Sequence, residues 1–289
     1  MYCKKLGDTL LLRFYKCMSS DIIFTKRYKM QMTGIIEKKV SVNNIEINCL
    51  QTGKGDHSVF CLPGSLGTIW TDFSPQIIGF DLNKFSIIVW DPPGYGKSIP
   101  PKRDFCIDYL ERDADLAAQL LQKLEIPKCS LLGWSDGGIT ALFLAAKYPE
   151  HVNKLVVWGA NAFLTNEDLN AYEKIKNVKN WSVGMRNSMM NIYGEQLLQQ
   201  LINEWFDIMK KIQNTREGDI CKQLVSNIVI PTLILHGAKD PLVPKIHCEF
   251  LHKYIQNSKL HIFQDGKHNI HLKFSEFFNK TVQEFLLEK

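Results

Sequence analysis

Short apolar runs alternate with longer amphipathic stretches from residue 37 to the end of the chain. The runs are rich in branched side chains and are bounded by Gly, Pro or Asp, which is typical of buried strands. Such strands are predicted at 58–62, 86–90, 129–134, 152–158, 232–236 and 260–263. Helical spacing of apolar residues predicts helices at 108–124, 138–148, 244–255 and 272–287. This alternation indicates an α/β fold with a mostly parallel sheet flanked by helices.

Two stretches depart from this alternation. Asn43 and Asn44 tolerate positive φ and predict a hairpin between apolar runs at 40–42 and 45–50. Residues 162–229 contain several aromatic side chains and no strand-like run until their end. Because they interrupt the pattern between two core strands, we expect a helical cap over the carboxyl ends of the strands, where such sheets bind ligands. Residues 37–289 are therefore predicted to form one domain that carries this cap.

The first 36 residues differ from the rest in charge. They hold seven basic and two acidic side chains and thus account for the whole net charge of +5. Apolar residues recur among the basic ones at helical spacing, which is typical of a mitochondrial transit peptide. A mitochondrial location is therefore expected. A disordered extension or a different start codon is the alternative, and the protein would then be cytoplasmic.

Composition narrows the classes of function. Residues 37–289 are neutral overall and show no basic stripe of the kind that binds nucleic acid. The eight cysteines are scattered without a C-x-x-C pair, which indicates a reducing compartment and predicts no metal site. There is no apolar run of about 18 residues that would predict a membrane span. We expect a monomer that acts on a small molecule without a cofactor.

A glycine-flanked serine, Ser135, follows the predicted strand at 129–134. The pentapeptide Gly133-Trp134-Ser135-Asp136-Gly137 leads directly into the helix at 138–148. A serine at a strand-to-helix turn with small neighbours is typical of the nucleophile in the α/β-hydrolase fold. The alternative is a glycine-rich loop with an incidental serine. The complete strand, turn and helix favour Ser135 as a nucleophile.

A nucleophilic serine needs a base and an orienting acid, and in this fold the order along the chain is serine, acid, histidine. Asp240 lies in the loop after the strand at 232–236, and His268 lies in the loop after the strand at 260–263. The carboxyl ends of parallel strands share one edge of the sheet, so these loops are expected beside Ser135. The sequence therefore predicts a catalytic triad of Ser135, Asp240 and His268.

Three other polar residues compete for these roles. His236 ends a predicted strand before a glycine, and we interpret it as fixing the loop by hydrogen bonding. His271 lies one helical turn after His268 and is expected either to contact the site residues without touching the substrate or to face solvent. Asp91 precedes a Pro-Pro-Gly turn and is expected to cap it.

An acyl-transfer site also needs two hydrogen-bond donors for the oxyanion of its tetrahedral intermediate. The backbone N–H of Asp136, directly after the nucleophile, is expected to be one of them. The second is expected from the loop after the strand at 58–62, where Ser65 is preferred and Leu66 is the alternative. Only backbone geometry can decide between the two.

Several segments together resemble the valacyclovir hydrolase, or biphenyl hydrolase-like, family of the α/β-hydrolase superfamily. The match most specific to this family combines Trp134-Ser135-Asp136-Gly137-Gly138 with Trp158-Gly159-Ala160-Asn161. Broader matches are Asp91-Pro92-Pro93-Gly94-Tyr95-Gly96-Lys97-Ser98, Lys239-Asp240-Pro241 and Gly266-Lys267-His268-Asn269. The resemblance runs from about residue 37 to the end of the chain. It departs at Pro93, where this family commonly has arginine, and we expect the change to affect the surface of the turn.

The resemblance implies a serine hydrolase of α-amino acid esters, with Asp136 binding the ammonium group of the substrate. In such an ester the ammonium sits one carbon from the attacked carbonyl, so a carboxylate next to Ser135 is near enough to pair with it. The alternative role for Asp136 is to cap the helix that begins near Gly138. Alternative functions are the hydrolysis of a carbon–carbon bond in dienoic ring-cleavage products, which are acids that Asp136 should repel, and binding without catalysis.

Overall fold

The structure, a computed structural model, describes residues 35–288. The proposed transit peptide in residues 1–36 falls almost wholly outside the described residues, and mitochondrial targeting stays a prediction. Eight strands run through the described part of the chain. They are β1 (Ile36–Val42), β2 (Ile45–Gly53), β3 (His57–Leu62), β4 (Phe85–Trp90), β5 (Cys129–Trp134), β6 (Val152–Trp158), β7 (Thr232–Gly237) and β8 (Ser258–Phe263).

One sheet contains all eight strands in the order β1-β2-β4-β3-β5-β6-β7-β8. From β4 to β8 in this order, neighbouring strands pair in parallel. β1 and β2 form an antiparallel hairpin, and β2 pairs antiparallel with β4. Asn43 and Asn44 make the hairpin turn with φ of 50° and 63°, as expected from their tolerance of positive φ. The predicted mostly parallel sheet is confirmed.

Helices flank this sheet. They are α1 (Ile69–Gly79), α2 (Tyr109–Lys123), α3 (Asp136–Lys147), α4 (Asn166–Ile175), α5 (Val183–Arg216), α6 (Lys245–Tyr254), α7 (Ile270–Lys273) and α8 (Ser275–Leu287). Among residues 35–288, no helix is both long and apolar enough to cross a bilayer.

Two helical features differ from the sequence prediction. α1 is additional: it begins with a capping box in which Thr68 and Thr71 exchange hydrogen bonds, and it contains Pro75, which weakens its helical signal. The closing helix predicted at 272–287 is wrong in its extent, because the chain leaves helical geometry at Phe274 (φ −118°, ψ 40°) between α7 and α8. Apolar spacing continues through this break, so periodicity cannot locate it.

Residues 162–229, hereafter the cap segment, connect β6 to β7. This segment contains α4 and α5. Its β-type backbone pairing, within the described residues, is an isolated bridge between Phe163 and Asp219. α5 is interrupted at Gly194, whose φ of 72° and ψ of 165° are not helical. Beyond this break, α5 buries a row of apolar side chains that includes Leu198, Leu201 and Trp205.

The central strands are buried along their length. β7 is buried at every position, and β5 is buried up to Gly133. Parallel strands covered on both faces are apolar at consecutive positions, because both faces of the sheet need apolar side chains. β8, at the edge of the sheet, is buried only at Phe263. The loops that carry Ser135, Asp240 and His268 follow the carboxyl ends of β5, β7 and β8.

Candidate active site

Ser135 lies in the turn between β5 and α3. Its φ of 54° and ψ of −125° place it in a region that residues with a side chain rarely adopt. Its N–H donates to the carbonyl of Trp158 at 3.0 Å, and its carbonyl accepts from the N–H groups of Gly138 at 2.8 Å and Ile139 at 3.0 Å. A strained serine at the end of a strand, held in this way, has the backbone geometry of a nucleophile elbow.

Glycine allows this turn to approach the loop after β3. A Cβ at Gly137 would lie 2.1 Å from the carbonyl oxygen of Leu62, so no larger residue fits without displacing the backbone. In the facing loop, a Cβ at Gly64 would lie 3.2 Å from Ser135 Cβ. The nucleophile turn and the loop after β3 are therefore in contact.

Asp240 and His268 form a hydrogen-bonded pair in the loops after β7 and β8. His268 Nδ1 lies 2.8 Å from Asp240 Oδ2. The other oxygen of Asp240 accepts from the backbone N–H groups of Leu242 and Val243, at 2.9 and 3.1 Å. Burial alone would raise the pKa of Asp240, but the attraction of His268 and these hydrogen bonds together hold it below its usual value. Asp240 is thus a carboxylate that fixes one ring nitrogen of His268.

Trp134 connects His268 to the nucleophile turn. Its indole N–H donates to the carbonyl of His268 at 3.0 Å, and the centroids of the two rings are 5.3 Å apart. Trp134 immediately precedes Ser135 in the chain. The structure therefore brings Ser135, Asp240 and His268 to the same edge of the sheet.

The two competing histidines occupy other positions. His236 is buried in β7, and burial lowers its pKa. His271 is also buried, and its Nδ1 accepts from the indole N–H of Trp158 at 2.9 Å. Burial is the main reason why the pKa of His271 lies well below its usual value. The histidine that contacts the Asp240 carboxylate is His268.

Asp91 organises the turn after β4. Its two carboxylate oxygens accept from the backbone N–H groups of Ile69 and Lys97, each at 2.8 Å, so it holds both this turn and the start of α1. Pro93, the departure from the resembled family, is half-buried in the same turn. Its carbonyl accepts a hydrogen bond from Arg103 at 2.9 Å. Pro93 therefore contributes a backbone acceptor as well as surface.

The loop after β3 forms a tight turn from Gly64 to Gly67. The N–H of Gly67 donates to the carbonyl of Gly64 at 3.0 Å, and the N–H of Gly64 donates to Asp72 Oδ2 at 2.9 Å. Among the residues that the structure describes, none accepts a hydrogen bond from the N–H of Ser65 or Leu66. Ser65 and Leu66 are thus both candidates for the second oxyanion donor, beside the N–H of Asp136.

Asp72, in α1, is a buried carboxylate that the sequence analysis does not single out. It is 1% exposed and accepts from the N–H of Gly64 and from the hydroxyl of Thr71. Burial raises its pKa to about 7, although both hydrogen bonds and the charge of His268 oppose the rise. No motif marks Asp72, because its contact with the turn from Gly64 to Gly67 exists only in the folded chain.

We expect Asp72→Asn to change how stability depends on pH. The folded protein holds the Asp72 proton up to about pH 7, whereas the unfolded chain releases it near 3.8. The free energy of unfolding of the native protein therefore falls as pH rises through this window, and asparagine lacks this contribution. Relative to the native protein, the variant should gain roughly 2–4 kcal/mol between about pH 4 and pH 8. Urea unfolding of both proteins across this range measures the difference, and a difference independent of pH would contradict the explanation.

The Asp136 carboxylate directly follows the nucleophile and is only 6% exposed. Its Oδ2 accepts from the Tyr109 hydroxyl at 2.7 Å and from the Trp205 indole N–H at 2.9 Å. Neither bond goes to α3, so Asp136 makes no capping hydrogen bond, although as the first residue of α3 it lies at the end of the helix that favours a negative charge. Within residues 35–288, Oδ1 receives no hydrogen bond. Burial raises the pKa of Asp136, and the two donors, which favour the ionised form, oppose the rise.

A buried ion pair packs against Tyr109, one of the two residues that hold this carboxylate. Arg103 donates to both oxygens of Asp113, at 2.9 and 2.6 Å. The guanidinium also lies 4.7 Å from the ring centroid of Tyr95 and 4.9 Å from that of Tyr109. Arg103 therefore packs on the ring whose hydroxyl holds Asp136. The sequence gives no signal for this arrangement, because Asp113 looks like an ordinary charge on an amphipathic helix.

The comparisons with known proteins agree with this fold. Residues 58–176 and 176–275 match the family described as alpha/beta hydrolase fold, and the chain belongs to that family. Two relatives named serine hydrolase BPHL, from Homo sapiens and Mus musculus, are 46% and 44% identical to it over 254 residues. Each alignment covers 88% of this chain and 87% of the relative. The resemblance to the biphenyl hydrolase-like family is therefore confirmed, and the chain is a serine hydrolase.

A solved structure shows the same fold at lower identity. The 2-hydroxy-6-oxo-6-phenylhexa-2,4-dienoate hydrolase from Rhodococcus sp. superposes with a TM-score of 0.75 and is 19% identical. The match covers 88% of this chain and 99% of that protein. The predicted α/β-hydrolase fold is thus confirmed.

Proposed function

We propose that the protein hydrolyses esters of α-amino acids through an acyl-enzyme at Ser135. The observation that carries the proposal is the buried Asp136 carboxylate, which directly follows Ser135 and has one oxygen bound by Tyr109 and Trp205. Its other oxygen accepts no hydrogen bond from residues 35–288. An α-amino acid ester carries its ammonium on the carbon next to the reacting carbonyl, within reach of that oxygen when Ser135 attacks.

Ser135, His268 and Asp240 supply the acylation chemistry in this proposal. Ser135 Oγ bonds to the ester carbonyl carbon, and His268 Nε2 takes the hydroxyl proton. Asp240, on the opposite ring nitrogen, stabilises the imidazolium that forms. The negative charge that develops on the carbonyl oxygen is received by the N–H of Asp136 and by one N–H of the turn from Gly64 to Gly67.

His268 acts next as an acid, which completes acylation, and then again as a base for the hydrolysis of the acyl-enzyme. His268 gives its proton to the alcohol oxygen as the bond between carbonyl carbon and alcohol breaks, which leaves the aminoacyl group on Ser135. A water molecule then attacks the acyl carbon while His268 accepts one of its protons. Collapse of the second tetrahedral intermediate returns that proton to Ser135 Oγ and releases the amino acid. The same N–H donors stabilise both intermediates.

The surroundings of Asp136 suit an amino acid with an apolar side chain. Trp205 belongs to α5, so the cap segment reaches the carboxylate directly. Tyr172 of α4 packs on Trp205, with ring centroids 4.8 Å apart, and is 4% exposed. Aromatic surfaces beside a carboxylate can receive an apolar group and an ammonium together. A charge pair formed there is screened less by water than one on the surface.

A substrate panel with the native protein tests this proposal. We expect kcat/KM for an ester of phenylalanine or valine to exceed that of its N-acetyl derivative by about 10²-fold, because acetylation removes the charge that pairs with Asp136. The matched ester without an amino group controls for the bulk of the acetyl group and should also react slowly. Equal rates on all three esters would exclude an ammonium site. Faster hydrolysis of a dienoic ring-cleavage acid would favour the carbon–carbon bond hydrolase instead.

A further inference from the structure

The hydroxyl of Tyr193, in α5 of the cap segment, joins two loops of the sheet core. It donates to the carbonyl of Leu66 at 2.8 Å and accepts from the N–H of Gly96 at 3.1 Å. Tyr193 is 7% exposed, and burial raises its pKa well above the usual value, so the hydroxyl keeps its proton at ordinary pH. A side chain of the cap segment therefore holds the turn that carries the expected oxyanion donors.

Hydrogen bonds fix the peptide groups at both ends of this turn. At its start, the N–H of Gly64 donates to a buried carboxylate. At its end, the peptide group between Leu66 and Gly67 is held twice, because its carbonyl accepts from Tyr193 and its N–H donates to Gly64. The two peptide groups in between present the N–H groups of Ser65 and Leu66, which have no acceptor among the described residues. The frame of the turn is thus rigid around the two donors that are available to an oxyanion.

Leu66 makes this frame dependent on the Tyr193 hydroxyl. Its φ of 61° is left-handed, which costs a residue with a side chain about 1 kcal/mol or more. Leu66 is also only 2% exposed, so its carbonyl has little access to water as a substitute donor. A buried carbonyl without a donor costs about 1–3 kcal/mol. If the hydroxyl were removed, the turn would lower its free energy by shifting, and the adjacent N–H groups would move with it.

We propose that Tyr193 is a positioning residue for the oxyanion hole, which makes the geometry of the hole depend on the cap segment as well as on the sheet core. Tyr193 acts through the carbonyl of Leu66 and does not itself touch the oxyanion. The proposal rests on the oxyanion hole of the proposed function. It does not depend on the amino group of the substrate.

A substitution at the residue after Tyr193 can perturb the hydrogen bond between Tyr193 and Leu66 by a second, independent route. Gly194 interrupts α5 with φ 72° and ψ 165°, a conformation that is essentially restricted to glycine. A Cβ at this position would meet no atom within 4 Å, so alanine introduces backbone strain without a steric clash. Gly194→Ala should therefore reorient the part of α5 that carries Tyr193, so that the hydroxyl is retained but displaced from the carbonyl of Leu66.

Steady-state kinetics of Tyr193→Phe on the fastest ester substrate test the proposal. We expect kcat to fall about tenfold, less than the 10²- to 10³-fold loss for a donor that contacts the oxyanion itself. KM should change by less than about twofold, because the ground-state ester does not depend on the oxyanion hole. A boronic acid, which Ser135 Oγ converts into a tetrahedral adduct, should bind more weakly by the same factor as kcat. Gly194→Ala should also lower kcat, as Tyr193→Phe does.

Tyr148→Phe is the matched control. It removes a tyrosine hydroxyl that donates to Asp115 at 2.8 Å, at the end of α3 opposite to Ser135. This variant should keep the native kcat. Titration of active sites with a fluorophosphonate normalises every rate to the folded fraction, so partial unfolding cannot be mistaken for a slower step.

Three results would overturn the proposal: a normalised kcat of Tyr193→Phe equal to the native value, a rise in KM alone, or a fall in kcat without weaker boronic acid binding. A purely structural role of the hydroxyl would lower the melting temperature and leave these kinetic values unchanged. The preference for free amines over N-acetyl derivatives should be the same in Tyr193→Phe and in the native protein. A missing preference would therefore contradict the amino acid ester proposal and not this one.

Discussion

Ester turnover is expected to fall by about 10⁴- to 10⁶-fold when Ser135 is replaced by alanine. The variant lacks the oxygen that forms the acyl-enzyme, while the expected oxyanion donors and the pair of His268 and Asp240 remain. Because the side chain shrinks and the strained backbone keeps its hydrogen bonds to Trp158 and α3, the fold should survive. Turnover of an amino acid ester, measured at enzyme concentrations high enough to detect residual activity, gives the size of the loss.

Labelling with a fluorophosphonate identifies the nucleophile independently of any substrate. The native protein should be labelled on the peptide that contains Ser135, and Ser135→Ala should not be labelled. Ser41→Ala, on exposed β1, is the control and should retain full turnover and labelling. Turnover by Ser135→Ala above about a hundredth of the native rate would mean that Ser135 is not the nucleophile.

Asp240→Asn is expected to lower kcat by about 10³- to 10⁴-fold. The N–H groups of Leu242 and Val243 bind one side-chain oxygen of Asp240, so asparagine should keep its oxygen there and turn its NH₂ group toward His268 Nδ1. His268 would then carry its proton on Nε2, the nitrogen that has to accept the proton from Ser135. Single-turnover rates on the fastest ester measure the effect on acylation directly.

Asp265→Asn is the matched control for this prediction. Asp265 lies three residues before His268, but it is exposed and pairs with Lys239 at the surface, so its loss should leave kcat at the native value. If Asp240→Asn retained more than about a tenth of the native kcat, Asp240 would not be the orienting acid. A comparable loss in Asp265→Asn would instead indicate a general disturbance of this loop.

The parallel sheet and the candidate triad can be predicted from the sequence because both depend on local patterns. β5 and β6 match their predicted bounds, since strands buried on both faces are continuous apolar runs bounded by turn residues. Ser135, Asp240 and His268 each follow their own strand, so their meeting at one edge of the sheet follows from the parallel topology. None of this requires knowledge of side-chain contacts.

The contacts that shape the substrate site cannot be predicted in this way. Asp136 binds Tyr109 and Trp205, which are 27 and 69 positions away in the chain. Asp113 and Arg103 form a buried ion pair, although their charges suggest exposed positions. Such pairings depend on which helices meet in three dimensions, and hydrophobic periodicity carries no information about that.

Asp136 binding to the ammonium group of the substrate is tested most directly by four values of kcat/KM. They are those of the native protein and of Asp136→Asn, each with a free-amine ester and with its N-acetyl counterpart. Asparagine can keep its carbonyl oxygen on Tyr109 and Trp205 but offers a neutral amide to the substrate. The native preference of about 10²-fold for the free amine should therefore disappear, with little change for the N-acetyl ester. An equal loss on both esters, or an unchanged preference, would contradict the proposed ammonium site.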